Sequence, residues 1–202
     1  LGFSARRLSK LLKLEGWEIR GSCRTREKMN ELKHIGIDAH IFDGTRKFDP
    51  RWLDGATHLL SSIPPNPGGD PVLQCWSESL ANSESIKWVG YLSTTGVYGN
   101  TDGDWVDETA PTRPDVPRSK RRVKAEKNWL ALHTDYGMPI HIFRLAGIYG
   151  PDRNVLKAIN GGYARRIDKP GHKFSRIHVD DIALVLRASM ETPDPGTIYN
   201  VC

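Results

Sequence analysis

The sequence has little of what would cross-link a chain through disulfides or metal ions. Its three cysteines, Cys23, Cys75 and Cys202, are odd in number and far apart. No pair of them has metal-ligand spacing, and the histidines have no partners at such spacing either. A disulfide scaffold is expected to have an even number of cysteines, and a zinc module needs closely spaced ligands. We therefore expect reduced thiols, no metal site and a cytoplasmic protein.

Long apolar runs are also missing. No stretch approaches the ~18 residues that a membrane-spanning helix needs, so we expect no membrane partner. The chain begins at Leu1 without an initiator Met and soon becomes basic, which is not the pattern of an export signal. This opening indicates that the true start of the protein is missing.

Acidic residues are outnumbered by basic ones. The formal net charge is +5, and the cations are dispersed except for one cluster at 118–124. A basic balance is found in proteins that bind nucleic acid, membrane surfaces or anionic small ligands. Aromatic residues that could stack on bases are not interleaved with the cluster. We interpret it as the solvated face of a helix and expect no nucleic-acid partner.

The sequence does contain a regular alternation of two hydrophobic periods, helical and strand-like. Such alternation is typical of parallel strands joined by right-handed crossovers. We expect one α/β domain over 1–202, a doubly wound parallel sheet with helices on both faces. The pattern predicts helices at 5–14, 28–33, 71–82, 119–133 and 182–190, and strands at 17–23, 38–42, 58–63, 86–93, 139–145 and 197–201.

Ligands of such sheets bind beyond the carboxyl ends of the strands. The chain opens with Gly2, Phe3, Ser4 and Ala5 directly before a helix. A glycine at a helix N-terminus lets backbone N–H groups approach a pyrophosphate. Only the end of a glycine fingerprint is present, without the strand that should precede it. A dinucleotide site is therefore one interpretation, and an ordinary helix start is the other.

The next predicted strand is followed by Arg24 and Arg26, with no acidic residue between them. In a dinucleotide site this position meets the adenosine ribose. A carboxylate there would accept from a free 2′-hydroxyl, whereas arginine would pair with a 2′-phosphate. The two arginines favour NADP over NAD if a dinucleotide binds. The alternative is two surface arginines on a loop.

Two further strand ends carry weaker signals. Asp43 could accept from an adenine amino group, although an Asp-Gly turn explains it equally well. The small residues Ser61 and Ser62, followed by Ile63 and Pro64, would leave room for a nicotinamide ribose. They also suit a loop after any strand.

Three ordered motifs carry a resemblance to a known family. They are LSTTGVYG at 92–99, RLAGIYGP at 144–151 and FSRIHVDDIA at 174–183, and a strand with Tyr199 follows them. Together they resemble the extended short-chain dehydrogenases, the NAD-dependent epimerase/dehydratase family. The resemblance covers nearly the whole chain. It implies a Rossmann-type fold, a nicotinamide cofactor and a small-molecule substrate such as a sugar nucleotide.

In that family a Ser or Thr hydroxyl, a Tyr and a Lys act together, and Thr94 matches the hydroxyl. The resemblance aligns Glu126 with the family's glutamate on the next helix. Arg122 then takes the place of the Lys and Arg118 that of the Tyr. Arginine stays protonated above pH ~12 and is a poor proton shuttle. Arg122 could still hold ribose or phosphate oxygens as a cation. Tyr98 and Tyr149 are the other candidate phenols. In the family both positions are usually structural, and Tyr98 is the candidate for a substitute acid or base.

The resemblance thus describes an atypical member without Tyr-x-x-x-Lys. We expect an NADP-dependent oxidoreductase or epimerase/dehydratase, or alternatively an NADP(H)-binding sensor without turnover. The core is expected to be truncated at both ends, to carry part of a substrate-binding segment at 151–176 and to form a homodimer as relatives do. The expected cofactor-binding residues are Gly2, Phe3, Ser4, Ala5, Arg24, Arg26, Asp43, Ser61, Ser62, Ile63, Pro64, Thr94, Arg122, Leu145, Ala146 and Gly147.

Two features near the end of the chain have alternative interpretations. Asp180 and Asp181 could be catalytic or metal-binding, but an Asp ahead of an apolar helix predicts a helix N-cap. Arg153, Arg165 and Arg166 could meet an anionic substrate, although surface charge explains them as well.

Overall fold

The structure is a computed structural model that describes residues 1–44, 49–165, 168, 171 and 173–202. Helices and strands alternate along it, with short 3₁₀ turns at Pro50–Leu53 and Thr95–Val97. The helices are α1 (Phe3–Leu14), α2 (Arg26–His34), α3 (Pro71–Ala81), α4 (Pro117–Tyr136), α5 (Val155–Asn160) and α6 (Val179–Glu191). The strands are β1 (Arg20–Cys23), β2 (Asp38–Ile41), β3 (His58–Ser61), β4 (Trp88–Thr94), β5 (Ile140–Leu145), β6 (Gly147–Tyr149), β7 (Arg176–His178) and β8 (Ile198–Val201).

All of these strands pair in parallel. The central sheet has the order β3-β4-β5-β8, and its registers set Ser61 beside Tyr91 and Thr94 beside Leu145. β1 pairs with β2, and the short strands β6 and β7 pair with each other. Because paired strands run the same way, their carboxyl ends share one edge, where loops can meet.

The two middle strands are buried on both faces. Every residue of β5, and every residue of β4 except Thr94, is buried. Near-continuous apolar runs such as these are expected where helices cover both faces of a parallel sheet. One core cluster joins the sheet to α3 and α4 around Trp129, and a second joins it to α1 and α6 around Phe143.

Helix ends follow the local sequence closely. Thr25 caps α2 by accepting from Lys28 N, and Asp70 caps α3 by accepting from the N–H groups of Val72 and Leu73. Gly137 ends α4 in the left-handed conformation, φ 70°, which glycine adopts without steric cost. These caps satisfy backbone groups that a helix leaves open at its ends.

The predicted α/β parallel architecture is confirmed, with predicted elements matching observed ones to within a few residues. Three short elements were not predicted: β6 and β7 have three residues each, and α5 has six. Segments this short do not display a hydrophobic period. The strand predicted from residue 17 begins only at Arg20.

A buried histidine in β5 gives a pH prediction. His141 is fully buried, its Nε2 accepts from Asp194 N at 3.1 Å and its Nδ1 lies 3.3 Å from Val89 O. Burial lowers the pKa of His141, although backbone hydrogen bonds oppose the shift. The unfolded chain therefore binds this proton more tightly, and stability falls as the pH drops below about 6.5.

We expect His141→Gln to reduce the loss of stability between pH 7 and pH 5.5. The free energy of unfolding should fall less steeply, by up to about 1.4 kcal/mol per pH unit, and Tm should decline less. Thermal denaturation at a series of pH values measures it. The exposed His34, changed to Gln, is the control and should keep the parent slope. Equal slopes for the parent and His141→Gln would show that His141 does not govern the decline.

Candidate functional site

Several of the predicted cofactor-binding residues lie at the ends of strands or at the start of α1. Ser61 ends β3, Thr94 ends β4, and Leu145 ends β5, with Ala146 leading into β6. Leu145 and Ala146 are buried, and Ala146 N donates to Val201 O. Gly147 is exposed, and its N–H donates to Ser175 O. The polar groups free to meet a ligand therefore come from the neighbouring loops and helix ends.

The N-terminus of α1 is open. Gly2 precedes the helix without a side-chain cap, the first turn has no acidic residue, and no atom lies within 4 Å of a β-carbon built on Gly2. Within the described ranges, the N–H groups of Phe3, Ser4 and Ala5 have no acceptor. Three open donors and the positive end of a helix dipole suit a phosphate group.

The end of β3 contains a buried hydroxyl without a partner. Ser61 is 2% exposed, and its Oγ forms no hydrogen bond within the described part of the chain. Buried hydroxyls without partners are uncommon and call for an explanation. Ser62 and Ile63 are half-buried and Pro64 is exposed, so the loop after Ser61 borders solvent. A bound ligand with a polar group would supply the missing partner.

The loop after β1 is basic. Arg24 and Arg26 flank the α2 cap and are both exposed, with no carboxylate within ion-pair distance among the described residues. Asp43 follows β2 and is exposed as well. These residues have the chemistry that a phosphorylated ribose and an adenine would need. The α1 N-terminus, the Ser61 hydroxyl and these arginines together fit a dinucleotide.

Thr94 is half-buried and its Oγ1 accepts from Gly96 N at 3.1 Å. Accepting this bond leaves the hydroxyl proton available to a substrate oxygen. A second hydroxyl lies close by on α4. A β-carbon on Gly96 would stand 3.2 Å from Ser119 Oγ and 3.5 Å from Thr94 Oγ1. Both hydroxyls therefore line the junction of β4 and α4.

Arg122 reaches from α4 back to β4. Its Nη1 donates to Leu92 O at 2.5 Å and to the Tyr91 hydroxyl at 3.3 Å, and its guanidinium lies 5.5 Å from the Tyr91 ring centre. Burial raises the pKa of Tyr91, while the nearby Arg122 opposes the shift. Tyr91 therefore stays protonated at physiological pH. Among the described residues, the hydrogen bonds of the Arg122 guanidinium all come from Nη1.

Tyr98 follows the 3₁₀ turn after β4, and its side chain is buried. It is 4% exposed, its hydroxyl donates to Asn200 Oδ1 at 2.7 Å and accepts from Arg144 Nη1 at 2.7 Å. Arg144 in turn pairs with Glu126 at 2.9 Å. This placement argues against the acid or base role suggested for Tyr98, because both sides of its hydroxyl are occupied by buried groups.

Comparison with known proteins agrees with this geometry. The family model "NAD dependent epimerase/dehydratase family" matches residues 78–202. That span is more than half of the chain. The protein belongs to the NAD-dependent epimerase/dehydratase family.

Three similar proteins match all or nearly all of the chain. A functionally unknown conserved protein from Silicibacter pomeroyi superposes with a TM-score of 0.90 at 48% identity, over 100% of this chain and 69% of that one. Protein YeeZ of Escherichia coli K12 is 29% identical over 100% of this chain and 75% of its own length. UDP-glucuronic acid 4-epimerase from Bacillus cereus, solved with UDP-glucuronic acid and NAD, shares the fold at 18% identity and TM-score 0.76, over 97% of this chain and 73% of that one.

Within the epimerase/dehydratase fold, three polar residues near the candidate site were not predicted from the sequence: Ser119 of α4, Glu108 and Asn200. Ser119 is buried beside Thr94, and its position directly after Arg118 gave no signal in the sequence. Arg118 itself is exposed. Asn200 and Glu108 also join the Tyr98 cluster, since Glu108 Oε1 accepts from Asn200 N at 2.6 Å. Only the folded chain brings these positions together.

The predicted Asp180 cap is wrong. α6 begins at Val179, and His178 is its N-cap, with Nδ1 accepting from Asp180 N at 3.3 Å. Asp180 and Asp181 lie in the first turn, where carboxylates complement the helix dipole. Asp180 also pairs with Arg7 of α1, which lowers the pKa of its carboxyl group. It therefore links two helices that pack together.

Neither a metal-binding cluster nor a membrane-spanning helix is found among the described residues. In the described ranges, no group of three His, Cys, Asp or Glu residues could hold a metal ion. None of the described helices is long and apolar enough to cross a bilayer.

Three arginines were suggested for an anionic substrate. Arg153 stacks on the Phe3 ring at 5.6 Å and Arg165 is exposed, whereas Arg166 lies outside the described residues.

Proposed function

We propose that this protein binds NADP(H) along the carboxyl edge of its sheet and transforms a small molecule, as an oxidoreductase or an epimerase/dehydratase acting on a sugar nucleotide or a similar compound. The proposal rests on the occurrence of two features in the same chain: the open N-terminus of α1 and the exposed side chains of Arg24 and Arg26. The first provides donors for the pyrophosphate. The second provides cations, and no carboxylate, where a 2′-phosphate would lie.

Different residues would bind different parts of the cofactor and the substrate. Phe3, Ser4 and Ala5 would bind the pyrophosphate through backbone N–H groups, and Ser61 would donate to a ribose hydroxyl. Thr94 would donate its hydroxyl proton to a substrate oxygen and so fix its orientation. Arg122 would hold ribose or substrate oxygens as a permanent cation, because arginine does not release its proton. The bound cofactor would supply hydride transfer.

A second candidate function is NADP(H) binding without turnover. It is supported by the burial of Tyr98 and Tyr91, whose hydroxyls form hydrogen bonds within the protein. The resemblance to the family also aligns Arg118, rather than a phenol, with the family tyrosine. A protein of this kind would bind NADPH and transfer no hydride to any substrate. Turnover assays on a panel of sugar nucleotides separate the two functions.

The arginine pair gives the test of the cofactor proposal. We expect Arg24→Ala combined with Arg26→Ala to weaken NADPH binding about 10- to 100-fold, because charge-assisted hydrogen bonds contribute about 1.5–3 kcal/mol. NADH affinity should change little, because NADH lacks the 2′-phosphate. Titrations followed by nicotinamide fluorescence measure both affinities.

Lys33→Ala is the matched control, since Lys33 is an exposed cation at the other end of α2. It should leave both affinities at the parent values. Equal losses of NADPH and NADH affinity in the double variant would refute recognition of the 2′-phosphate. Failure of the parent protein to bind either dinucleotide would refute the proposed function as a whole.

A further inference from the structure

The first two turns of α4 concentrate positive charge without neutralising it. They contain Arg118, Lys120, Arg121, Arg122 and Lys124, and the first turn has no acidic residue. None of these five cations has a carboxylate within 4.0 Å in the described part of the chain. The one glutamate of this helix, Glu126, pairs with Arg144 instead.

This arrangement opposes the intrinsic stability of the helix. Cations near a helix N-terminus meet the positive end of its dipole, and like charges four residues apart repel each other. Arg118 faces Arg122 at that spacing, and Lys120 faces Lys124. Val116, at the N-cap, offers no side-chain hydrogen bond. An anion bound at this end would relieve all of these effects.

A buried residue of the same turn carries a further hydroxyl. Ser119 is 4% exposed, and no hydrogen bond of its Oγ is found among the described residues. It lies 3.2 Å from the position of a β-carbon on Gly96, beside Thr94 Oγ1. The Thr94 hydroxyl still has its proton to donate. Two hydroxyl donors thus converge at the junction of β4 with the N-terminus of α4.

The backbone contributes one more donor. Pro117 has no N–H, and the N–H groups of Ser119 and Lys120 both donate to Val116 O, at 3.0 and 3.1 Å. The N–H of Arg118 has no acceptor in the described ranges. Arg118 directly precedes Ser119 in the chain and is exposed, and no carboxylate of the described residues lies within 4.0 Å of its guanidinium.

We propose that this junction, the α4 anion site, binds an oxyanion group of the substrate, a carboxylate or a phosphate, through the hydroxyls of Thr94 and Ser119 and the cation of Arg118. The inference rests on the proposed function, which places the substrate at Thr94. It narrows the substrate class to small molecules that carry a negative group next to the reacting carbon. It also gives the arginine in place of the family tyrosine a role in binding.

The test is anion titration of the full chain by calorimetry, with inorganic phosphate and malonate as probes and ionic strength held constant with sodium chloride. The parent protein should bind at least one of them, and the stronger probe tells phosphate from carboxylate. Ser119→Ala and Arg118→Ala should each weaken this binding about 10-fold or more. Lys127→Ala, which removes an exposed cation further along α4, should not change it.

A third variant distinguishes loss of binding from loss of structure. Arg118→Glu places a carboxylate at the helix N-terminus, so it should abolish anion binding while raising Tm by about 1–3 °C. Binding that persists in Arg118→Glu and in Ser119→Ala would overturn the proposal, as would the absence of any binding beyond the sodium chloride control.

Anion binding at the α4 anion site can be measured separately from NADPH binding. The anion titrations are repeated in the Arg24→Ala and Arg26→Ala background, where binding at the α4 anion site should persist. Loss of anion binding in that background would assign the anion to the β1 loop and overturn the proposal. NADPH affinity of the parent protein is measured separately, so failure of the proposed function and failure of the α4 anion site give different results.

Discussion

Replacing Glu126 by alanine is expected to lower the free energy of unfolding by about 3–5 kcal/mol, because it leaves the charge of Arg144 buried and unpaired. The side chains of Arg144 and Glu126 are 5% and 4% exposed. Glu126 also accepts from Ser93 Oγ, and Arg144 holds the Tyr98 hydroxyl. One substitution therefore disconnects α4, β4 and β5 at the same point. Urea denaturation measures the loss.

An exposed ion pair provides the control. Arg187 and Glu191 pair at 2.8 Å along α6, and the Glu191 side chain is 60% exposed. Glu191→Ala should cost no more than about 1 kcal/mol, because solvent screens such pairs. If Glu126→Ala cost as little as Glu191→Ala, the buried network would not be a structural centre of the protein.

Replacing Gly90 by alanine is expected to cost about 3 kcal/mol through overpacking. A β-carbon on Gly90 would stand 2.2 Å from Cη2 of Trp88, which is fully buried. The ring cannot withdraw easily, because its Nε1 donates to Ser189 Oγ at 3.0 Å and it stacks on His141 at 5.7 Å. Glycine at this position leaves room for the indole of Trp88, two residues earlier on the same strand. Thermal or urea denaturation measures the effect.

A double-mutant cycle identifies the cause. Trp88→Leu removes the ring that the new methyl group meets, so Gly90→Ala should cost much less in that background. Gly2→Ala is the control for adding a methyl group, since no atom lies within 4 Å of that position. Additive losses in the double variant would mean that contact with Trp88 is not the reason for glycine.

The sequence was sufficient for the architecture because the elements that build it are long and strongly patterned. β4 and β5 have continuous apolar runs, and α3 begins with an Asp-Pro pair that caps and starts a helix. The short strands β6 and β7 depend on pairing with each other. Their formation is decided by tertiary contacts, which no local period reveals.

The residues of the candidate site could be named from the sequence where they lie at or just after the end of a predicted strand. Thr94, Ser61 and the arginine pair lie where a parallel sheet gathers ligand groups. The burial of Tyr98 was not predictable, because it depends on Arg144 and Asn200, 46 and 102 residues away in sequence. The same is true of Ser119, whose proximity to Thr94 exists only once α4 packs against the turn after β4.

We propose above all that a nicotinamide dinucleotide lies along the carboxyl edge, with its pyrophosphate on α1. Amide hydrogen exchange measured with and without NADPH detects such a ligand at individual amides. We expect slower exchange for the first-turn amides of α1, at Phe3, Ser4 and Ala5, and for the loop after Ser61, with little change in the first turn of α5. Unchanged exchange in the α1 first turn at saturating NADPH, or protection confined to other elements, would contradict it.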